Sequence, residues 1–509
     1  MITEALETER KYEADPDAVV PDLTGLPHVA GETDLEEFQL VAEYFDTDDL
    51  RLIRAGITLR RRRGGDDEGW HLKLPAGPDS RTELQVPLRR GPAVPAELSR
   101  LIRAQSRAAA LRPVARIATV RRRRVLLDSA GESLAEVVDD EVSAQSLGQV
   151  TTLSRWREVE VELTGGGRLL LVAADDRLRK AGLRPAGRAA KLERALADRM
   201  PSAAAPPRLK PRSRAGDVVL SYVRTQADAL KSADPLVRRD QPDSVHQMRV
   251  AARRLRATLQ SFRPILDASA TAHLRDELRW LGQVLGAARD GEVLAGHLTG
   301  LLGEVPEELV LGPVPASITE HFGPRSAAAQ RAAVRALDSR RYLALLDELE
   351  GLLAEPPLTE AAAAPATTLR QSVERAYRRL AKKIRRALDM PAGHDKDLAL
   401  HEARKAAKRA RYTADVLVPI EGRTARRFSK RMTKIQTVLG DHQDSVIARA
   451  AIRDLGVSAH RAGQNAFTYG LLYERDAETA RGLQHRARRA WRKSSRAKYR
   501  RWLGQEDHP

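Results

Sequence analysis

Glu7, Glu9 and Lys11 occupy every second position of ALETERKY (5–12), and Glu158, Glu160 and Glu162 do the same in WREVEVEL (156–163). In an extended strand, residues two apart point to one face, so each stretch gathers its charges on one side. Val159 and Val161 take the other. Bunched carboxylates repel unless a cation sits among them, and their oxygens bind hard divalent cations. Further stretches repeat the alternation, mostly with basic residues. Arg60 and Arg62 share a face in ITLRRRR (57–63), His71 and Lys73 in WHLKLP (70–75), and Arg121 and Arg123 in ATVRRRRVLLD (118–128). SRTELQVPL (80–88) sets Arg81, Glu83 and Gln85 against Thr82, Leu84 and Val86, and LAEVVDDEV (134–142) places Glu136 and Asp140 beside Val138. Arginine and lysine are ligands for phosphate oxygens. Acids and bases on one surface therefore suit a metal-chelated polyphosphate.

The elements that must position these residues are short strands separated by turn signals such as GGDDEG and AGPDSR. Six or seven strands, each charged on one side and mostly apolar on the other, predict a closed antiparallel barrel with a charged lumen, which also removes sheet edges. Some helix is expected near 94–110 and 176–199. MPSAAAPPRLKPRSRAGD (200–217) is rich in Pro, Ala and Ser and reads as a linker, with 201–213 its centre. Beyond it the chain is Ala/Leu/Arg-rich with helical periodicity.

Charge divides the chain in the same place. Of 87 basic and 69 acidic residues, 32 and 34 lie in residues 1–200, which leaves 55 and 35, net +20, for residues 201–509. The second part is suited to a polyanion. Cysteine is absent, which excludes disulfides, thiolate metal sites and thiol catalysis. MITEALETER is acidic and has no apolar core of a secretory signal, and no apolar run approaches the ~20 residues that span a bilayer. A cytoplasmic protein with no membrane partner is expected.

The basic part repeats itself. HQMRVAARRLR (246–256) realigns on HEARKAAKRAR (401–411), pairing His246 with His401, Arg249 with Arg404, Arg253 with Lys408 and Arg256 with Arg411. LGQVLGAARD (281–290) realigns on IQTVLGDHQD (435–444), pairing Gly286 with Gly440 and Asp290 with Asp444. Two pseudo-symmetric helical halves, about 214–353 and 369–509, are the economical reading. AEPPLTEAAAAPATT (354–368) separates them. The four basic positions of each half form one helical stripe beside an apolar face. Glu402 is the one acid within either stripe, whereas solvated basic helices usually interleave acids. Each histidine is expected to contact phosphate or sit at a helix end. Lys382, Lys383, Arg385 and Arg386 are weaker candidates. Aromatic residues are 4% of the chain and only Tyr412 interrupts the stripes. Stacking platforms are lacking and nucleic acid is disfavoured.

The first 200 residues resemble the CYTH domain of the triphosphate tunnel metalloenzymes. Glu7-Thr8-Glu9-Arg10-Lys11 matches its ExExK signature, and YFDT (44–47), LRRR (59–62), LKLP (72–75), RTE (81–83), AEVVDDEV (135–142), EVEVEL (158–163) and AKLE (190–193) follow in family order. The resemblance implies an eight-stranded antiparallel tunnel that acts on triphosphates with Mg²⁺ or Mn²⁺. It implies metal ligands at Glu7 and Glu9 and among Glu158, Glu160 and Glu162. It implies phosphate ligands at Lys11, Arg60, Arg62, Lys73, Arg121, Arg123 and Lys191, with Lys11 and Glu9 at the catalytic centre. The family often has Ser-Lys where this chain has Ala190-Lys191. Residues 214–509 resemble the CHAD domain, which implies inorganic polyphosphate binding by an all-helical bundle without catalysis. The expected whole is an α+β multidomain chain: a tunnel barrel hydrolysing a triphosphate, inorganic tripolyphosphate favoured, joined to a duplicated helical bundle. The alternatives are a catalytically silent adaptor targeted to polyphosphate granules, and hydrolysis or cyclisation of an organic or nucleoside triphosphate. The sequence leaves the oligomeric state open.

Overall fold

In the computed structural model of this chain, described for residues 2–504 except 78, 90, 92, 188–189 and 201–207, the chain divides into two compact units, 1–205 and 206–509. Residues 201–207 of the expected linker lie outside the described residues.

The first unit is an eight-stranded antiparallel barrel. Its strands are β1 (Thr3–Ala14), β2 (Glu36–Asp46), β3 (Thr58–Arg63), β4 (Gly69–Gly77), β5 (Ser80–Val86), β6 (Arg112–Leu127), β7 (Ser133–Ser146) and β8 (Thr152–Leu163). Around the barrel they run β1-β5-β4-β3-β2-β6-β7-β8. β1 closes the ring by splitting its pairing: Thr3–Thr8 lie against β5, and Glu9–Ala14 against β8. The alternation holds along the strands apart from register shifts at Tyr44/Phe45, Pro75/Gly77 and Leu126/Leu127. Tyr12, Leu126, Val137, Val159 and Val161 face outward and are covered by Leu170, Leu171, Ala174 and Leu178 of α1 (Arg168–Lys180). Leu59, Trp70, Leu72, Leu84 and Val86 are covered by Leu98, Leu101 and Ile102.

The helices differ from expectation. The segment near 94–110 folds as two short helices, Ala96–Leu101 and Arg103–Ser106, and the one near 176–199 as α1 and the short α2 (Lys191–Ala195). α1 starts early because its apolar stripe begins at Leu170, straight after three glycines, and it stops at Gly182, whose φ of +90° suits glycine. α2 matters for the lumen. Its Leu192 and Ala195, with Leu196, pack against Ala42, Tyr44, Ile117, Val142, Ala144 and Trp156. These lie on the same strand faces as the charged lumen residues, so an apolar layer fills one end of the barrel.

The second unit contains two sets of four helices. α3 (Ala215–Arg238), α4 (Ser244–Ser261), α5 (Ala272–Gly303) and α6 (Val314–Leu337) are followed by α7 (Arg340–Ala354). The main helices of the second set are α8 (Arg370–Asp389), α9 (His394–Val416), α10 (Arg423–Arg461) and α11 (Phe467–Ser494). Successive helices pack in the same order in both sets, and α4 meets α9 across them. The stretch 354–368 carries two 3₁₀ turns with Ala362, Ala366 and Leu369 buried. Among the described residues no helix is long and apolar enough to cross a membrane.

Asp46, in the YFDT stretch, is fully buried and its carboxylate accepts N–H bonds from Thr47 (2.7 Å), Leu52 (2.9 Å) and Ile53 (3.0 Å). It pins the turn that delivers β3 and its arginines. Asp46→Ala strands three buried donors. It is expected to lower barrel stability by about 2–3 kcal/mol, read as a drop in the urea midpoint of the barrel's transition.

Candidate functional site

The barrel strands aim Glu7, Glu9, Lys11, Arg60, Arg62, Lys73, Arg121, Arg123, Glu160 and Glu162, and α2 brings Lys191, into one cavity of about 280 Å³. Tyr44, Thr58, Arg81, Glu83 and Glu136 also line it. Arg61 turns outward, contacts Glu43 and lies over the Trp70 ring, as strand alternation requires. Eight basic and eight acidic side chains line the cavity, with Asp140 and Glu158 buried behind them. The lumen is therefore no simple anion trap.

Most of these charges are held by named partners. Lys73 Nζ lies 2.6 Å from Glu7, and Lys11 Nζ lies 2.9 Å from Glu9 and 2.5 Å from Glu160. Arg121 grips Asp140 with Nε and Nη2 at 2.8 and 2.7 Å. Lys191 Nζ sits 2.9 Å from Asp140, 2.6 Å from Glu158 and 2.7 Å from Glu160. Burial works against these charges, yet Lys11 and Lys191 hold Glu160 well below the usual carboxylate range. Burial likewise opposes ionised Asp140, but Lys191 and Arg121 pull it lower. Elsewhere burial wins. It pushes Glu7 up to about 8 against the pull of Lys73, and Glu162 up to about 7. Burial, with Arg60 and Arg121 nearby, pushes Arg62 down to about 9, although it contacts Asp67 of the β3–β4 turn. His71, which bonds Glu83 at 2.9 Å, is kept neutral by burial.

Asp140, Glu158 and Glu160 each offer one oxygen within 4.8 Å of the others, a hard, all-oxygen donor set. Asp140 stands outside the ligand set expected from the sequence. Its position on the β7 face with Glu136 was the available signal, but only the β7–β8 register, which places it opposite Glu158, reveals the cluster. Tyr44 is likewise a lumen residue that alternation within one strand does not single out.

In the helical unit, the two stripes converge where α4 meets α9. Lys408 is half-buried and pushed down to about 7 by burial and by Arg404, Arg253 and Arg249, with Asp444 opposing. Arg253 donates to the Tyr412 hydroxyl at 2.9 Å, and Arg253, Arg254 and Arg411 crowd the ring. Tyr412 is only 1% exposed, so it supports guanidinium groups and offers no face for a base. Arg256 and Arg409 are lowered by burial and by neighbouring arginines that include Arg279, Arg379 and Arg263.

Acids missing within the stripes come from other helices. Arg249 Nη1 meets Asp290 at 2.7 Å, and Arg404 Nη1 meets Asp444 at 3.6 Å. Each guanidinium lies across the paired glycine of the same helix, Gly286 or Gly440. The aligned blocks are thus one duplicated constellation: arginine, glycine and aspartate. His246 is the third residue of α4, but His401 is two turns inside α9, because HDKDLAL extends that helix with Asp395 and Asp397 at its positive end. The helix-end reading fails for His401. Burial lowers both histidines, so they are neutral near pH 7. Lys383 pairs with Glu402 at 2.7 Å.

A CYTH domain matches residues 5–189 and a CHAD domain residues 221–453. Two uncharacterized proteins of Mycobacterium tuberculosis, from strains CDC 1551 / Oshkosh and ATCC 25618 / H37Rv, are each 39% identical over 510 residues, 97% of both chains. Among solved structures, PptA from Streptomyces chartreusis is 25% identical, covering 55% of this chain and all of its own (TM-score 0.46). The CHAD domain from the plant Ricinus communis is 24% identical, covering 56% and 96% (0.42). A putative adenylate cyclase from Bacillus halodurans is 20% identical, covering 38% and 97% (0.27).

A Cβ at Gly440 would lie 3.0 Å from Arg404 Nη2. Gly440→Ala is expected to leave the melting temperature unchanged or higher, since alanine favours helix. If the helical unit holds inorganic polyphosphate, the substitution should weaken long-chain polyphosphate binding on the order of 5-fold, about 1 kcal/mol, measured by calorimetry beside a melting curve.

Proposed function

Because this chain belongs to the CYTH domain family over its barrel and to the CHAD domain family over its helices, we propose that it hydrolyses a triphosphate in the barrel and holds inorganic polyphosphate on the helices. Inorganic tripolyphosphate is the favoured substrate, since eight basic and eight acidic side chains dominate the lining and Phe38, Leu40 and Tyr44 belong to its smaller apolar and aromatic part. The observation that carries the reading is the charge balance of the lumen. Paired acids and bases bind a triphosphate only if cations enter with it, and the Asp140–Glu158–Glu160 donor set fits Mg²⁺ or Mn²⁺. Glu7 and Glu9 would complete the metal-binding wall. A divalent cation held there would stabilise charge developing on the leaving phosphate.

The chain's own residues do the rest. Arg60, Arg62, Lys73, Arg121 and Arg123 neutralise phosphate oxygens, with Lys11 and Lys191 beside the carboxylates. Arg62, crowded by like charge, gains most when an anion arrives. Fixed donors around the chain of phosphates stabilise the transition state without reorganising. On the helices, Arg249, Arg253, Arg256, Arg404, Lys408 and Arg411, flanked by His246 and His401, form the polyphosphate seam. The cytoplasm is the proposed place of action, and association with polyphosphate granules is part of the same proposal.

Glu9→Gln and Asp140→Asn are each expected to abolish Mn²⁺-dependent phosphate release from tripolyphosphate while the circular dichroism spectrum is retained. Arg60→Ala and Arg62→Ala should each weaken tripolyphosphate binding by about 1.5–3 kcal/mol, and Arg61→Ala should not. Equal losses at all three would refute the reading of the lumen.

For Lys408 the pH dependence has a definite sign. Its folded value near 7 lies below the ordinary 10.5, so between these values the unfolded chain holds the extra proton. Lys408 therefore lowers stability most below pH 7, and the penalty disappears toward pH 10.5. A bound polyanion restores the charge by taking up a proton. Polyphosphate affinity should weaken as pH rises above 7, by at most ~10-fold per unit for one proton. Lys408→Gln should remove that share of the slope in titrations at pH 6–8.5.

A further inference from the structure

The three carboxylates that fit a divalent ion already surround a cation. Lys191 Nζ touches Asp140 Oδ2, Glu158 Oε1 and Glu160 Oε1 at 2.9, 2.6 and 2.7 Å. The ammonium spends its three donors on three different acids. An ion bound by the same oxygens, at roughly 2.1 Å for magnesium, would lie within bonding distance of Nζ, and two cations cannot share that space. Metal and ammonium are mutually exclusive occupants.

The backbone beside Lys191 is fixed. Lys191 is the first residue of α2, and Leu192 and Leu196 are locked into the apolar layer at the barrel's end. The four-carbon stem is flexible, and Lys191 borders the cavity as well as the carboxylates. The ammonium can leave by rotating its side chain, and the space that receives it is the phosphate cavity.

We propose that Lys191 is a resident counter-ion which a divalent cation displaces, and that the released ammonium becomes a phosphate ligand. This rests on the metal-dependent reading of the barrel and adds its order of events. The metal frees the lysine, so metal and triphosphate bind with positive coupling, and each tightens the other equally. It also accounts for a lysine among the metal-binding carboxylates in a lumen already rich in arginine.

The test uses the full-length protein without triphosphate. Wild type and Lys191→Gln are titrated with Mn²⁺ by electron paramagnetic resonance. In parallel, acetic anhydride labelling of wild-type Lys191 is followed by mass spectrometry with and without saturating Mn²⁺. Lys180, exposed beside Asp176, is the internal reference. Exchange requires that Mn²⁺ raise Lys191 labelling several-fold relative to Lys180. It also requires that Lys191→Gln bind Mn²⁺ on the order of 10-fold more tightly, having lost the competitor. If Mn²⁺ binds and Lys191 labelling stays constant, the exchange is wrong and the metal-dependent reading stands. Equal Mn²⁺ affinity in both proteins has the same meaning. If neither protein binds Mn²⁺ at millimolar concentration, the metal-dependent reading falls and the exchange falls with it. The labelling arm uses wild type alone, so a misfolded variant does not blunt the test.

Discussion

Asp140 exposes none of its surface to water, and its carboxylate is satisfied by Arg121 from one side and Lys191 from the other. Breaking such a pair inside a protein leaves a buried charge that typically costs ~3–5 kcal/mol. The barrel is arranged so that this never happens. Arg121 comes from the neighbouring strand at the matching register position, and Lys191 from the helix that fills the barrel's end. Glu160 shares Lys191 and adds Lys11, and Glu9 shares Lys11. Acids and bases from five elements thus form one linked network. Each of these members except Glu9 meets more than one partner of opposite charge.

The helical unit meets the same electrostatic problem with the opposite outcome. At the α4–α9 contact, cations from two repeats come together with few acids among them, and Lys408 yields part of its charge. Asp290 and Asp444 hold the outer arginines in place, and glycine at the matching helix position lets each guanidinium lie flat. The barrel offers compensated charge, which in the proposed function opens to metal and phosphate together. The helices offer largely uncompensated charge, which the proposed polyanion would complete.

Much of the barrel was legible because alternation in a strand is rigid. Once ALETERKY and WREVEVEL were read as strands, the faces of Glu7, Glu9, Lys11, Glu158, Glu160 and Glu162 followed. The opposition of Arg61 to Arg60 and Arg62 followed equally. What lay outside that logic depends on register between strands, which no single stretch encodes. The meeting of Asp140 with Glu158 and the role of Tyr44 are of this kind. The apolar end layer was hidden because Leu192 and Leu196 look like any short amphipathic turn. In the helical unit, the duplication fixed which residues correspond, down to Gly286 with Gly440 and Asp290 with Asp444. It did not reveal that these form contacts with Arg249 and Arg404, since helix pairing brings together residues about forty positions apart. The longer α9, which moves His401 away from a helix end, is a difference between repeats that alignment of the shared motifs conceals.

The apolar layer of Leu192, Leu196 and Trp156 gives the barrel a direction. A tube open at both ends lets a polymer thread through and be cut anywhere along its length. A vessel closed at its base admits a chain by its terminus and holds only as many units as fit above the floor. Whatever is released must leave by the opening through which the rest of the chain extends. For the proposed reaction such an architecture would count from the end, meeting a long chain one terminus at a time.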